Sequence, residues 1–160
     1  MSIPKFALFA SALLGLATLP VLAAPSAPAD APLTPQKPIV IPGGPGGFDW
    51  MLVDAGSDRV FVAGSNGKLA VIDMKTGKVT STVDIKPGVD QIAYDRGNQR
   101  IYCACSGFIS VVQATEDGAK LLGNITSPKG SHTIAVDQKT HAVWTCYFDA
   151  KDSYLMKLTP

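Results

Sequence analysis

The stretch FDWMLVD, Phe48–Asp54, decides the fold, because it comes back twice. VDQIAYD (89–95) and SHTIAVD (131–137) repeat its pattern, and the closing aspartates Asp54, Asp95 and Asp137 stand 41 and 42 residues apart. A second block follows each copy at a constant distance: VFVA (60–63), IYCA (101–104) and VWTC (143–146). Two blocks recurring together three times mark an internal repeat, and a repeat must be read before any local pattern. Within each copy, short apolar and β-branched runs are separated by turn residues, which is the pattern of strands.

The spacing predicts four strands in the first unit, at 48–54, 59–64, 68–73 and 78–84. The second unit repeats them at 89–94, 99–104, 107–113 and 119–125, and the third has three, at 131–136, 142–147 and 153–158. Asn66-Gly67 predicts a type I′ hairpin, which needs φ > 0 at both positions. Lys75-Thr76-Gly77-Lys78 predicts a type I turn followed by Gly in the left-handed conformation. A four-stranded unit of this length has the size of a β-propeller blade, as in WD40-like repeats. The expected fold is therefore all-β, with blade units at 48–88, 89–130 and 131–160. Propellers have about 4–8 blades, so about three blades make an incomplete ring in one chain. The third unit lacks an outer strand, and Pro38-Ile39-Val40-Ile41 is available to supply it.

The blocks VFVA, IYCA and VWTC, each preceded by a strand ending in Asp and a polar turn, resemble the YVTN-type propeller repeat. GKLAVIDMKTGKVTSTV (67–83) is similar to the second half of such a blade, and 130–141 is similar to a last blade. The resemblance covers 48–160 and is to the YncE-like family of exported YVTN propellers. It implies a propeller of about seven blades, from which this chain departs by its shortness.

Residues 1–23 read as a secretory signal peptide: Lys5 is the positive region, 6–19 an uncharged apolar run, and Val21-Leu22-Ala23 a small-residue cleavage site after Pro20. The run is short for a membrane span, which needs about 20 apolar residues, so no span is expected after its removal. Export to the periplasm or the outside is the expectation. Residues 24–47 hold seven prolines and read as an extended Pro/Gly-rich linker. The 14 basic and 13 acidic residues nearly balance, so no nucleic-acid partner is expected.

Asp49, Asp90 and His132 hold the same place in successive units, at the start of the first strand, which in a propeller lies beside the central channel. Two carboxylates and an imidazole suit a divalent metal ion or a general acid–base pair. Carboxylates suit Ca²⁺ or Mn²⁺, and the imidazole draws the choice toward Zn²⁺ or Mn²⁺. The alternative is that these short polar residues satisfy turn backbone groups. Asp54, Asp95 and Asp137 read as such structural acceptors, and His141 reads as a solvated turn residue. Trp50, Tyr102 and Trp144 read as core. Cys103, Cys105 and Cys146 are disulfide candidates in an oxidising compartment, with Cys103 and Cys105 on one strand face. A bridge from either to Cys146 competes with the reading that all three are small buried residues. No phosphate loop, nucleophile elbow or zinc-protease motif is present.

Three functional readings follow. The first is an exported binding or scaffolding module, a homo-oligomer completing the ring. The second is a metal-dependent hydrolase or oxidoreductase with its site at the channel mouth. The third is a truncated remnant of a larger propeller. Fold alone does not choose among them.

Overall fold

A computed structural model describes residues 33, 35–42 and 46–160. The signal peptide expected at 1–23 and most of the linker lie outside these residues. The chain divides into two units, Met1–Pro38 and Ile39–Pro160. Of the first, only Leu33 and residues 35–38 are described, and they carry no regular secondary structure. Among the described residues there is no helix, and none long and apolar enough to cross a membrane.

The second unit holds eleven strands. They are β1 (Phe48–Asp54), β2 (Arg59–Gly64), β3 (Lys68–Asp73), β4 (Val79–Asp84), β5 (Gln91–Asp95), β6 (Arg100–Ala104), β7 (Phe108–Thr115), β8 (Gly118–Thr126), β9 (Thr133–Val136), β10 (Val143–Phe148) and β11 (Ser153–Leu158). They form three antiparallel sheets in the orders β1-β2-β3-β4, β5-β6-β7-β8 and β9-β10-β11. Every strand pairs with its neighbour in sequence, as expected of a meander closed by short turns. The first strands β1, β5 and β9 lie beside one another, and so do the last strands β4 and β8. This is the blade arrangement of a propeller, open rather than closed.

Alternation along the central strands explains the stacking, because successive side chains point to opposite sheet faces. In β7, Val112 and Ala114 enter the seam between the first two blades, while Ile109 and Val111 enter the seam between the second and third. In β6, Ile101 and Cys103 face the first blade, and Tyr102 and Ala104 the third. The first seam is the larger core, with Phe61, Leu69, Val71, Val89 and Ile92 fully buried around it. The far face of the first blade, Val62, Ala70 and Ile72, is also buried, with Ile41 packed on it.

That last contact corrects one expectation. Residues 38–41 do not supply an outer strand to the third blade. Ile41 lies on the first blade, and the third sheet has three strands. The turns differ in one respect too. Gly67 has φ 80° but Asn66 is not left-handed, and Gly67 N–H donates to Gly64 O at 3.0 Å. The hairpin with two consecutive left-handed residues is Ser106-Gly107, at φ 42° and 109°, in the second blade. The turn at 75–78 has the expected left-handed Gly77, φ 64°, with Gly77 N–H donating to Asp73 O.

Candidate functional site

The first-to-second-strand turn recurs in all three blades, and each places one non-glycine residue in the left-handed region: Asp58, Gln99 and His141. Ahead of it stands the repeating aspartate. Asp95 accepts from Gly97 N–H at 3.0 Å and Asn98 N–H at 3.3 Å, and Asp137 from Lys139 N–H at 2.9 Å, so the structural reading of this ladder holds. The ladder also reaches between blades. Asp54 accepts from Tyr94 Oη of the second blade at 3.2 Å. Asp95, 0% exposed, faces His141 Nδ1 of the third blade through both carboxylate oxygens, at 2.9 and 3.0 Å. His141 is therefore a half-buried seam contact, not a solvated turn residue, because the left-handed turn swings its ring back onto the buried carboxylate.

At the other end of β5, His132 Nδ1 is paired with the carboxylate of Asp90, both side chains half exposed. The repeat alignment thus brings two of its three candidates together across the same seam. Asp49 falls in the irregularity that shifts the register of β1 against β2, and it does not join the pair. Among the described residues, no three His, Cys, Asp or Glu side chains assemble as a metal site. Two glutamines that the repeat pattern does not mark complete the seam. Gln91 Oε1 accepts from Ile134 N–H at 2.8 Å, and Gln138 Nε2 donates to Tyr94 O at 2.8 Å. Neither recurs in the other units, so the alignment carries no signal for them.

All three cysteines are free. Cys103 and Cys105 share a face, as expected, and are buried in the first seam. Cys146 is exposed on the third blade, so no bridge joins it to either. Burial pushes both inner thiols up, Cys103 well above the ordinary value.

The far face of the third blade is an open apolar surface. Strand alternation and register put Ala135, Trp144, Cys146, Phe148 and Leu155 on it. Phe148 and Leu155 are 68% and 65% exposed. Lys157 Nζ caps the Trp144 ring, 5.4 Å from its centroid. Trp144 is thus only half-buried, and Trp50 is exposed. Neither is the core residue expected: Trp144 lies on the uncovered far face of the third blade, and Trp50, opposite Ala63 on the first-seam side of β1, stays 43% exposed. A second opening, a cavity of about 200 Å³, lies in the outer part of the seam between the second and third blades.

No family model matches the chain. No curated protein matches it by sequence. Its structure is similar to solved structures that include propeller domains. It matches the β-propeller domain of Myceliophteria thermophila Cps50 (Swd1) with TM-score 0.57 and 12% identity, over 69% of this chain and 39% of that one. It matches the RRP9 WD40 repeats with TM-score 0.57 and 13% identity, over 74% and 40%. It matches Kuenenia stuttgartiensis hydrazine synthase with TM-score 0.57 and 13% identity, over 64% and 29%. The chain spans less than half the length of each. The fold defines a class: the described residues are all-β and propeller-type, three blades in an open stack.

Proposed function

We propose that the chain is an exported YVTN-type binding or scaffolding module that works as a homo-oligomer, a second copy covering the far face of its third blade. The observation that carries this is the difference between the two ends of the stack. The first blade's outer face is partly covered, with Val62, Ala70 and Ile72 buried under Ile41 and the inner-strand residues Met51 and Val53 exposed, whereas the third leaves Phe148 and Leu155 mostly exposed with no described segment over them. A contiguous apolar sheet face of this kind marks an interface in a soluble protein. Light scattering after size exclusion tests it. A discrete mass of two chains or more, reduced to one chain by Leu155→Lys, is the expected result, and a wild-type monomer at every concentration overturns it. Oxidation then reports the symmetry. Third blade against third blade brings two Cys146 side chains together and yields a cross-linked dimer. Head-to-tail ring closure, with Met51 and Val53 of the first blade as the opposite wall, buries Cys146 without cross-linking it.

A further inference from the structure

The outer face of the first blade has the pattern of a seam face. Val60 and Val62 of β2 hold the repeat places of Ile101 and Cys103 in β6 and of Val143 and Thr145 in β10. Strand register carries the match into the next strand, where Ala70 and Ile72 stand for Ser110 and Val112. In the second and third blades these places receive the blade before: Ile101, Cys103 and Val112 in the first seam, Val143 in the second. In the first blade they receive Ile41. That cover is slight. Ile39 reaches the turn at Gly77, where an added Cβ would meet its Cδ1 at 3.4 Å, and Val40 is 85% exposed. Residues 39–42 make no hydrogen bond to the sheet among the described residues. The chain is next held at Gly47, whose carbonyl accepts from Ser65 N–H at 3.0 Å and Ser65 Oγ at 3.2 Å, so the segment can leave without disturbing β1.

The opposite faces of the blades follow a second pattern. Each second strand carries an aromatic ring and, two residues on, a small side chain: Phe61 and Ala63, Tyr102 and Ala104, Trp144 and Cys146. Side chains two apart share a sheet face. The first two pairs are buried against the β-branched and small residues of the following blade. Trp144 and Cys146 repeat the pair on the open face of the third blade. What such a pair fits is a receiving face, not a second copy of itself. Among the described residues, the receiving face that lies outside a seam is the first blade's. Charge agrees. Asp90 of one blade meets His132 of the next at a shared repeat place, and Asp49 holds that place in the first blade without a partner among the described residues. Setting a first blade after a third puts Asp49 opposite His132, again a carboxylate against an imidazole.

We propose that the outer face of the first blade is the seat of the third blade of a second copy, and that Ile39–Ile41 occupies this seat until the copy docks. The inference rests on the reading that a second copy covers the third blade, and it fixes the contact as head-to-tail. Met51 and Val53, which share the face with Val62 and Val60, stay exposed beside the segment and give the incoming blade its first hold. The segment then competes with the blade for Val62, Ala70 and Ile72, so it sets how readily copies join.

The test is disulfide trapping between full chains under mild oxidation, with the linked peptides identified by mass spectrometry. Met51→Cys places a thiol on the first blade's outer face, and Cys146 is the native thiol on the third blade. The expected product joins the introduced thiol of one chain to Cys146 of another, in preference to a link between two Cys146. Ile39→Ser with Ile41→Ser frees the seat and speeds that link about tenfold or more, the effect of one aliphatic anchor no longer competing. Ile41→Ala acts in the same direction and by less, which keeps the test sound if the double variant folds poorly by circular dichroism. Val53→Lys abolishes the link. Links between Cys146 residues alone overturn the proposal, because the copies then meet third blade to third blade and the dimer stands without this seat. A linking rate indifferent to Ile39 and Ile41 overturns it as well. A wild-type monomer at every concentration overturns the dimer reading. A head-to-tail link that then forms in the freed variant supports the seat, and its absence there removes both.

Discussion

At the scale of single residues, what matters is which polar groups are buried with partners. Asp95 is fully buried and depends on His141, whose ring packs so closely on Gly97 that a methyl there would stand 2.5 Å from Cε1. His141→Ala leaves the carboxylate with turn N–H groups alone, and about 1–3 kcal/mol of stability should be lost. Gly97→Ala should cost a similar amount by displacing the ring. Both losses are read from urea midpoints, and a Gly97→Ala protein as stable as wild type would mean the ring does not hold this seat. Acid acts on the same ladder. Burial pushes the Asp54 carboxyl up, but bonds from Ser57, Arg59 and Tyr94 outweigh it and hold the group below the ordinary carboxylate value. Turn bonds from Thr76, Thr140 and the 149–152 turn hold Asp73, Asp137 and Asp149 low as well. A lowered folded-state value contributes stability that is present above the unfolded value near 4 and lost as pH falls through the folded one. The urea midpoint should therefore drop as pH falls below about 4, and the drop should be smaller in Tyr94→Phe. In the Leu155→Lys monomer a thiol reagent should label one cysteine, Cys146, and three in urea, since the raised thiols in the first seam lack both thiolate character and access.

At the scale of elements, alternation and turns were enough to find all eleven strands, because each is short, apolar on at least one face and bounded by Gly, Asn or Asp. The edges moved by one or two residues, as at β5 and β9, which begin only after Asp90 and His132. Half of the candidate site was legible in the same way. Repeat position predicts that Asp90 and His132 meet, but not that β1 is irregular at Asp49, since a bulge depends on how two strands register. The role of His141 was illegible because it comes from one left-handed turn residue, and nothing in the composition of that turn distinguishes it from Gln99. The segment 39–41 shows the same limit: its β-branched residues signal extended chain, not which blade it covers. Ile41→Asp tests that placement, because it puts a charge against Val62, Ala70 and Ile72. In the Leu155→Lys monomer it should lower the urea midpoint and slow-exchange protection in β2 and β3 while leaving β9–β11 unchanged, and an unaltered first blade would show that Ile41 is not its cover.

At the scale of the whole molecule, a stack of repeats is held by nearest-neighbour seams, so stability along it is uneven. The second blade has a seam on each side, and β6 and β7 are buried on both faces. The first blade has one seam plus the cover of Ile41 over its far face. The third has one seam, smaller in apolar content than the first, no fourth strand and an uncovered face. What binds it is disproportionately polar: the two histidine–carboxylate contacts and the two glutamine bridges, all on the second blade's β5 or the residue before it. Apart from the contact of His141 with the buried Asp95, these are partly exposed and individually weak, about 1 kcal/mol or less each. Native-state hydrogen exchange should therefore show a gradient, with β6 and β7 slowest, β2 and β3 next and β9–β11 fastest, the last opening as one unit below the global free energy. Replacing both His132 and His141 by Gln should widen the gap by speeding exchange in β9–β11 without altering β2 or β3. Equal protection in all three sheets would mean that the seams are too strongly coupled for the third blade to open alone. If the third blade is the one that meets partners, the gradient also has a functional consequence: every contact made to its open face should raise protection first in β9–β11, where the free chain has least.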